Sequence, residues 1–403
     1  MPNIDVRKVT CRKEQDDFIS VPKYIYKDCP QWVPDLDRDI RELIDRRRNT
    51  EPGDFHIQPF VAYRHDVPLG RIVGIVNRKA NERWQQRVVR FGQIEFIDDL
   101  DVSRALLEAV GRWGRTFGMD TLQGPMGITD FDKEGMLMED FHLTGTMNTI
   151  YNHDYYPAHL SALGFQKAVD WVQIRIRIPQ EVPVRYSRTA QYVREQMGLR
   201  VVKLGDPGID KRRYGEQAMR LFNEAYKPIF GFAALSDAQI TAFLNRYLPI
   251  IDPQLVPIVL NEQQEVVGAA VTIGSLSNAL QKAGGRLWPT GWWHLLRALK
   301  WHSLPSVLRT APLWQGGSSD TVEMLLVGVR PDYQGMGVNA LFFDDLIPIY
   351  NKRGFKYAET GPQLEDNVRE LSQWKPLKPE YVKRRRCFTR PIANNEITKK
   401  ETT

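Results

Sequence analysis

Chemistry in this chain would be done along residues 321–367, TVEMLLVGVRPDYQGMGVNALFFDDLIPIYNKRGFKYAETGPQLEDN. Gln334-Gly335-Met336-Gly337 stands between an apolar, β-branched run, Val322 to Val329, and a helical pattern from Asn339 to about Lys352. A strand, a glycine-rich turn and a helix N-terminus make an anion site, because free backbone N–H groups and the positive helix end converge there. Glycines let backbone approach a phosphate, so the turn reads as a pyrophosphate cradle. No Gly-Lys-Ser/Thr follows, which excludes a P-loop, and the Gly-x-Gly-x-x-Gly of a dinucleotide fingerprint is missing. Glu323, Glu359 and Glu365 are the carboxylates at hand for base chemistry. Glu359 lies mid-strand among apolar neighbours, so it is expected to be desolvated with a raised pKa, or else paired with a cation. Glu323 would face the same cleft from the neighbouring strand.

The elements that must position these groups repeat. Both halves read strand, two helices, hairpin, strand, helix, strand, helix, strand. In the first half the hairpin is Phe60–Tyr63 with Leu69–Ile75, the next strand Phe91–Ile97 and the next helix Val102–Thr116. In the second half the hairpin is Val256–Leu260 with Val266–Ile273. Phe117-Gly118-Met119 and Arg353-Gly354-Phe355 sit at matching places before paired Gly-Pro dipeptides, Gly124-Pro125 and Gly361-Pro362. This order predicts a tandem duplication, with units at 1–180 and 184–393 and a disordered tail at 394–403. Where the second half has glycines, the first has Asp98-Asp99-Leu100-Asp101, and acidic side chains repel phosphates.

The run Val329-x-Pro331-x-Tyr333-Gln334-Gly335-x-Gly337-Val338 resembles motif A of the GNAT acyltransferases, and the element order resembles the GNAT domain over nearly the whole chain. The resemblance implies two tandem α/β domains of the acyl-CoA N-acyltransferase kind, each built on a mixed α+β sheet. It implies acyl-CoA (acetyl-CoA or a longer chain) as co-substrate in the second half alone. It implies transfer to an amine, on a small molecule or a lipid-like acceptor. Gln334, Gly335, Met336, Gly337, Val338 and Asn339 would cradle the cofactor. A bulged strand end at Val327-Gly328-Val329 would free an N–H for the thioester oxygen, and Asn367 would meet the pantetheine. Asp332 departs from the family's usual Arg or Gln. Trp374 stands where the family has a tyrosine acid, and an indole cannot act as one. Tyr381 is then the candidate acid, with Glu359 or Glu323 as base. The other reading is a non-catalytic protein that binds acyl-CoA.

With 403 residues, 42% hydrophobic and 26% charged, the chain is expected to be a two-domain soluble protein of the cytoplasm. It lacks an apolar signal core, and its three scattered cysteines have no metal spacing, so no metal is expected. The net charge of +6 suits an anionic ligand or an anionic membrane surface. Basic and aromatic residues do not interleave on a platform, so nucleic acid is not expected as a partner. The segment 124–148, with Asp130, Asp132, Glu134 and Asn148, is a long polar loop that reads either as a solvated insertion or as the lining of an acceptor pocket. The insertion at about 284–314 carries Trp288, Trp292, Trp293 and Trp301 among basic residues. It reads as core, as a lid over a hydrophobic substrate, or as a peripheral membrane contact.

Overall fold

The computed structural model describes residues 4–45, 54–301 and 319–393. The tail at 394–403 and the insertion beyond Trp301 lie outside these residues. The first half runs β1 (Asp5–Lys8), α1 (Arg12–Ile25), α2 (Asp37–Ile44), β2 (Phe55–Arg64), β3 (Val67–Asn77), α3 (Arg78–Arg83), β4 (Val88–Phe96), α4 (Leu100–Arg115), β5 (Thr121–Gly124), β6 (Met136–Leu137), α5 (Tyr155–Ala162) and β7 (Gln166–Arg177). The second half opens with α6 (Val184–Met197), β8 (Arg200–Lys203), α7 (Lys211–Ala225), α8 (Asp237–Tyr247), β9 (Pro257–Leu260), β10 (Val266–Gly274), α9 (Ser277–Ala283) and α10 (Gly291–Trp301). It continues with β11 (Thr321–Val329), α11 (Val338–Arg353), β12 (Tyr357–Thr360), β13 (Gln363–Leu364), α12 (Val368–Gln373) and β14 (Glu380–Pro391).

The strands form one continuous mixed sheet, in the order β1-β2-β3-β4-β5-β14-β7-β12-β11-β10-β9-β8. The centre holds an exchange. β14, the last strand of the second half, lies between β5 and β7, and β7, the last of the first half, lies between β14 and β12. The two pair antiparallel from Glu380↔Arg175 to Thr389↔Gln166. Each half thus completes the other's sheet, and backbone groups that would form open edges are satisfied.

Each half also contains one parallel pair joined through a helix, β4 with β5 and β11 with β12. These pairings are short: Val88–Arg90 with Thr121–Gln123, and Thr321–Met324 with Tyr357–Thr360. Beyond them the longer strand parts from its neighbour while staying paired on its other edge, to β3 or to β10. The helix α6, absent from the sequence reading, packs Tyr186, Ala190 and Val193 into the core that also holds Val338, Leu341 and Phe342 of α11.

Candidate functional site

The turn after β11 is built as its residue types require. Gly335 and Gly337 have φ of +80° and +87°, a region costly for side chains with a Cβ. At Gly337 a Cβ would also come within 2.6 Å of Thr189 Cγ2 on α6. Around Gly335 there is open space, on the side a ligand would approach. Gly337 is the N-cap of α11. Among the described residues, the amides of Gly335, Gly337, Val338 and Asn339 make no hydrogen bond, so four donors face outward at the positive end of a sixteen-residue helix. Arg185 and Arg369 line the same cavity. Asp332 is held by Arg330 in a two-pronged ion pair (2.8 and 2.9 Å), so its charge is compensated. Gln334 donates its amide to the Val329 carbonyl (3.0 Å) and braces the strand end. Met336 is half-exposed at the tip.

The parting of β11 from β12 makes the second part of the site. The last shared contact is Gly361 N–H to the Met324 carbonyl, 3.0 Å. The bulge expected at Val327–Val329 falls earlier, at Leu325, where the register with β10 shifts between Val271 and Thr272. An extra residue there lets β11 turn away from β12 while keeping β10. Gly328 packs: its Cβ would meet Phe222 Cδ1 of α7 at 2.8 Å. The Tyr226 hydroxyl, just past α7, accepts from the Val327 N–H (3.2 Å) and donates to its carbonyl (3.1 Å). Tyr226 was not singled out from the sequence, since nothing local places a helix-end tyrosine on a strand a hundred residues away.

Other candidates scatter. Asn367 lines the cavity and caps α12, its Oδ1 accepting from Glu370 N–H and its Nδ2 donating to Glu370 Oε2 (2.9 Å). Burial pushes the Glu370 carboxyl up to about 7. Glu359 is buried off the cavity and ion-paired with Lys383 of β14. Glu323 is 2% exposed and also off the cavity; it accepts from the Ser275 hydroxyl (2.6 Å), and burial raises its carboxyl to about 7. Glu365 is held by Lys167 and Arg384. Trp374 is a core residue whose indole N–H donates to Gln363 Oε1 (3.0 Å). Tyr381 is 53% exposed and outside the cavity. The structure therefore brings together the cradle, Val327–Val329 and Asn367, but not Glu359, Glu323 or Tyr381.

Cradle and parted strand open into one cavity of about 2300 Å³ between the halves. The segment 126–134 lines it from the first half, and Trp292, Leu295, Leu296 and Leu299 of α10 line it from the second.

Known proteins bear on this arrangement. A tandem GNAT protein from the clavulanic acid biosynthesis pathway superposes with a TM-score of 0.54 at 10% identity, over 97% of this chain and 99% of that one. The chain has the tandem GNAT fold. A GCN5-related glucosamine N-acetyltransferase region of a fungal multi-domain β-N-acetylglucosaminidase matches this GNAT pair at a TM-score of 0.55 and 11% identity, over 97% of this chain and 38% of that chain. In sequence the chain is similar to protein YghO of Escherichia coli (strain K12), 24% identical over 400 residues, 96% of this chain and 95% of that one. It is also similar to a bacterial ceramide synthase of Caulobacter vibrioides, 23% identical over 308 residues, 74% of this chain and 77% of that one. No protein-family profile matches the sequence. Among the described residues of this GNAT fold, no group of three metal-ligating side chains occurs, and no helix is long and apolar enough to cross a membrane.

Proposed function

We propose that this protein is an N-acyltransferase that moves an acyl group from acyl-CoA to the amine of a long-chain, lipid-like acceptor. One observation carries the reading: a glycine cradle and a parted strand open onto a cavity with an apolar wall, large enough for two chains. The amides at 335–339 with Arg185 and Arg369 are suited to the pyrophosphate. The β11 edge from Leu325 to Val329 and Asn367 are suited to the pantetheine. Acyl-CoA supplies the activated thioester, and the Val327 N–H is the donor placed for its carbonyl oxygen once the Tyr226 hydroxyl gives way. The acceptor class follows from the α10 wall and from the relative named a ceramide synthase, a ceramide being the N-acyl amide of a long-chain amino alcohol. Exposed Trp288, and half-exposed Trp292 on the cavity wall, fit a cytoplasmic protein that draws its acceptor from a membrane surface. Only the second half takes cofactor.

The test is turnover. Purified protein is given acetyl-CoA or palmitoyl-CoA with sphinganine, dodecylamine, glucosamine or spermidine, and thiol release and amide mass are followed. Palmitoyl transfer to a long-chain amine is expected. Transfer only to the polar amines would remove the lipid-like acceptor. Retained acyl-CoA without turnover would support the second reading, a non-catalytic binder, which the core position of Trp374 favours.

A further inference from the structure

Three groups of titratable residues remain outside this scheme. The Glu323–Glu359–Lys383 group is sealed in the sheet. Glu95 lines the cavity, but its Oε2 is already taken by the hydroxyls of Tyr26 (2.5 Å) and Tyr156 (2.8 Å). The third group, on the loop between β5 and β6, is neither sealed nor satisfied.

Asp130, Asp132 and Glu134 all line the cavity. Asp132 is committed to the loop, its Oδ2 accepting from Thr129 N–H (2.9 Å) and Oγ1 (3.2 Å). Asp130 accepts one bond, from the Ala233 N–H (3.1 Å). Asp130 Oδ1 and Glu134 Oε1 are both withdrawn from water with no hydrogen-bond partner. A buried carboxylate oxygen without a donor is costly, unless a proton or a cation completes it. The nearest cation, Arg90, spends its donors on the carbonyls of Gly127, Ile128 and Gly231. Three carboxyls thus face one guanidinium. If Asp130 and Glu134 share one proton, the group still carries one negative charge, which suits an ammonium.

The position is apt as well. The Phe131 ring stacks on Tyr226 (centroids 6.2 Å apart), and Tyr226 is the side chain bonded to Val327. Asp130 is thus the sequence neighbour of Phe131, whose ring packs on the side chain bonded to the strand where the thioester would lie, and Glu134 follows three residues after Phe131. Burial raises both carboxyls, Asp130 to about 6 and Glu134 further, with Asp130 adding to the rise of Glu134. The groups facing the pair are Arg90 on β4, Asp132 on the same loop, Tyr226 after α7 and Cys387 on β14.

We infer that Asp130 and Glu134, from the half without a cradle, bind the acceptor ammonium and take its proton, so that the active site is shared between the halves. This rests on the acyl-transfer reading. The ammonium gives one proton to the shared carboxyl pair. The freed nitrogen lone pair attacks the thioester carbon, the C–N bond forms and the C–S bond breaks. The second nitrogen proton goes to the departing sulfur, and the pair returns its proton to water in the cavity. Acyl-CoA and alkylammonium become amide, CoA thiol and one proton.

The experiment uses full-length protein with palmitoyl-CoA and dodecylamine. Asp130→Asn and Glu134→Gln are expected to lower kcat/KM for the amine at pH 7 at least 100-fold, with CoA affinity by calorimetry within twofold. The deficit should shrink as pH rises from 8 to 10, where the amine sheds its own proton. A purely structural lesion gives a loss independent of pH, and that result, or activity within threefold of wild type, overturns the inference. If the wild type acylates no amine, the transfer reading falls by itself. Dodecylamine binding at pH 7 then decides: at least tenfold weaker binding in the double variant sustains the ammonium site, and equal binding overturns it.

Discussion

The two halves put different residues at one place in the same scaffold. Past the parallel pairing in the second half, the chain offers Gly335 and Gly337 and, among the described residues, unbonded amides at Gly335, Gly337, Val338 and Asn339. In the first half the helix N-terminus after β4 is capped by its own carboxylates. Asp99 accepts from the Asp101 N–H (2.9 Å) and pairs with Arg64 (2.7 Å), while Asp98 meets His159 (2.9 Å). Where the Tyr226 hydroxyl bonds the β11 end, the β4 end is covered by aromatics: the Tyr156 hydroxyl accepts from the Phe96 N–H (3.1 Å), and the two rings stack 4.1 Å apart. The strands also differ two residues in from their starts, where Arg90 and Glu323 hold corresponding places in the parallel register. The first half spends its helix N-terminus on its own carboxylates and sets a buried arginine against a carboxyl-bearing loop. The lesson is that a helix N-terminus becomes a ligand site only when the chain leaves its donors unspent.

The sharpest break of this comparison is Gly337→Glu. The side chain would clash with Thr189, strain a left-handed backbone and set a negative charge at the phosphates. CoA affinity by calorimetry should fall more than 100-fold, against a wild-type stoichiometry of one per chain; a stoichiometry of two would erase the asymmetry. Glu323→Gln comes next. Burial holds this carboxyl near 7, above its ordinary 4.5. The folded state therefore keeps a proton the unfolded chain releases, so the contribution to stability is full below about pH 4.5 and lost as pH rises to about 7. At pH 8 the variant should be more stable than wild type in urea by roughly 3 kcal/mol, the gap closing by pH 4.5. Gly328→Ala, pressing on Phe222, should cost about 1–3 kcal/mol. In the first half, Asp99→Ala should cost about 1 kcal/mol of stability through its lost cap and leave CoA affinity unchanged. The smallest effect is expected on α10: Trp292→Ala should raise KM for palmitoyl-CoA or a long amine several-fold with melting temperature nearly unchanged. A large fall in melting temperature with unchanged chain-length preference would return Trp292 to a packing role.

The strand, glycine turn and helix of the site were legible because these parts are consecutive. β11, the turn and α11 occupy about thirty residues, and period, glycine and cap chemistry act over a few residues each. The duplicated order of elements was legible for the same reason, as was the acidic substitution at 98–101. Loop 124–148 could be marked as unusual, but not assigned its neighbours. Other decisions belonged to the tertiary structure alone. Glu359 and Glu323 lie on the right strands, yet Lys383 from β14 and Ser275 past β10 enclose them, and no local pattern states which strand will lie alongside. The exchange of β7 and β14 joins residues more than two hundred positions apart, and no local pattern in either strand names its partner. The cavity, its apolar α10 wall and the partnerless oxygens Asp130 Oδ1 and Glu134 Oε1 exist only in the packed molecule. Burial and the spending of hydrogen-bond donors are properties of the packed molecule, whereas periodicity and backbone preference belong to the chain.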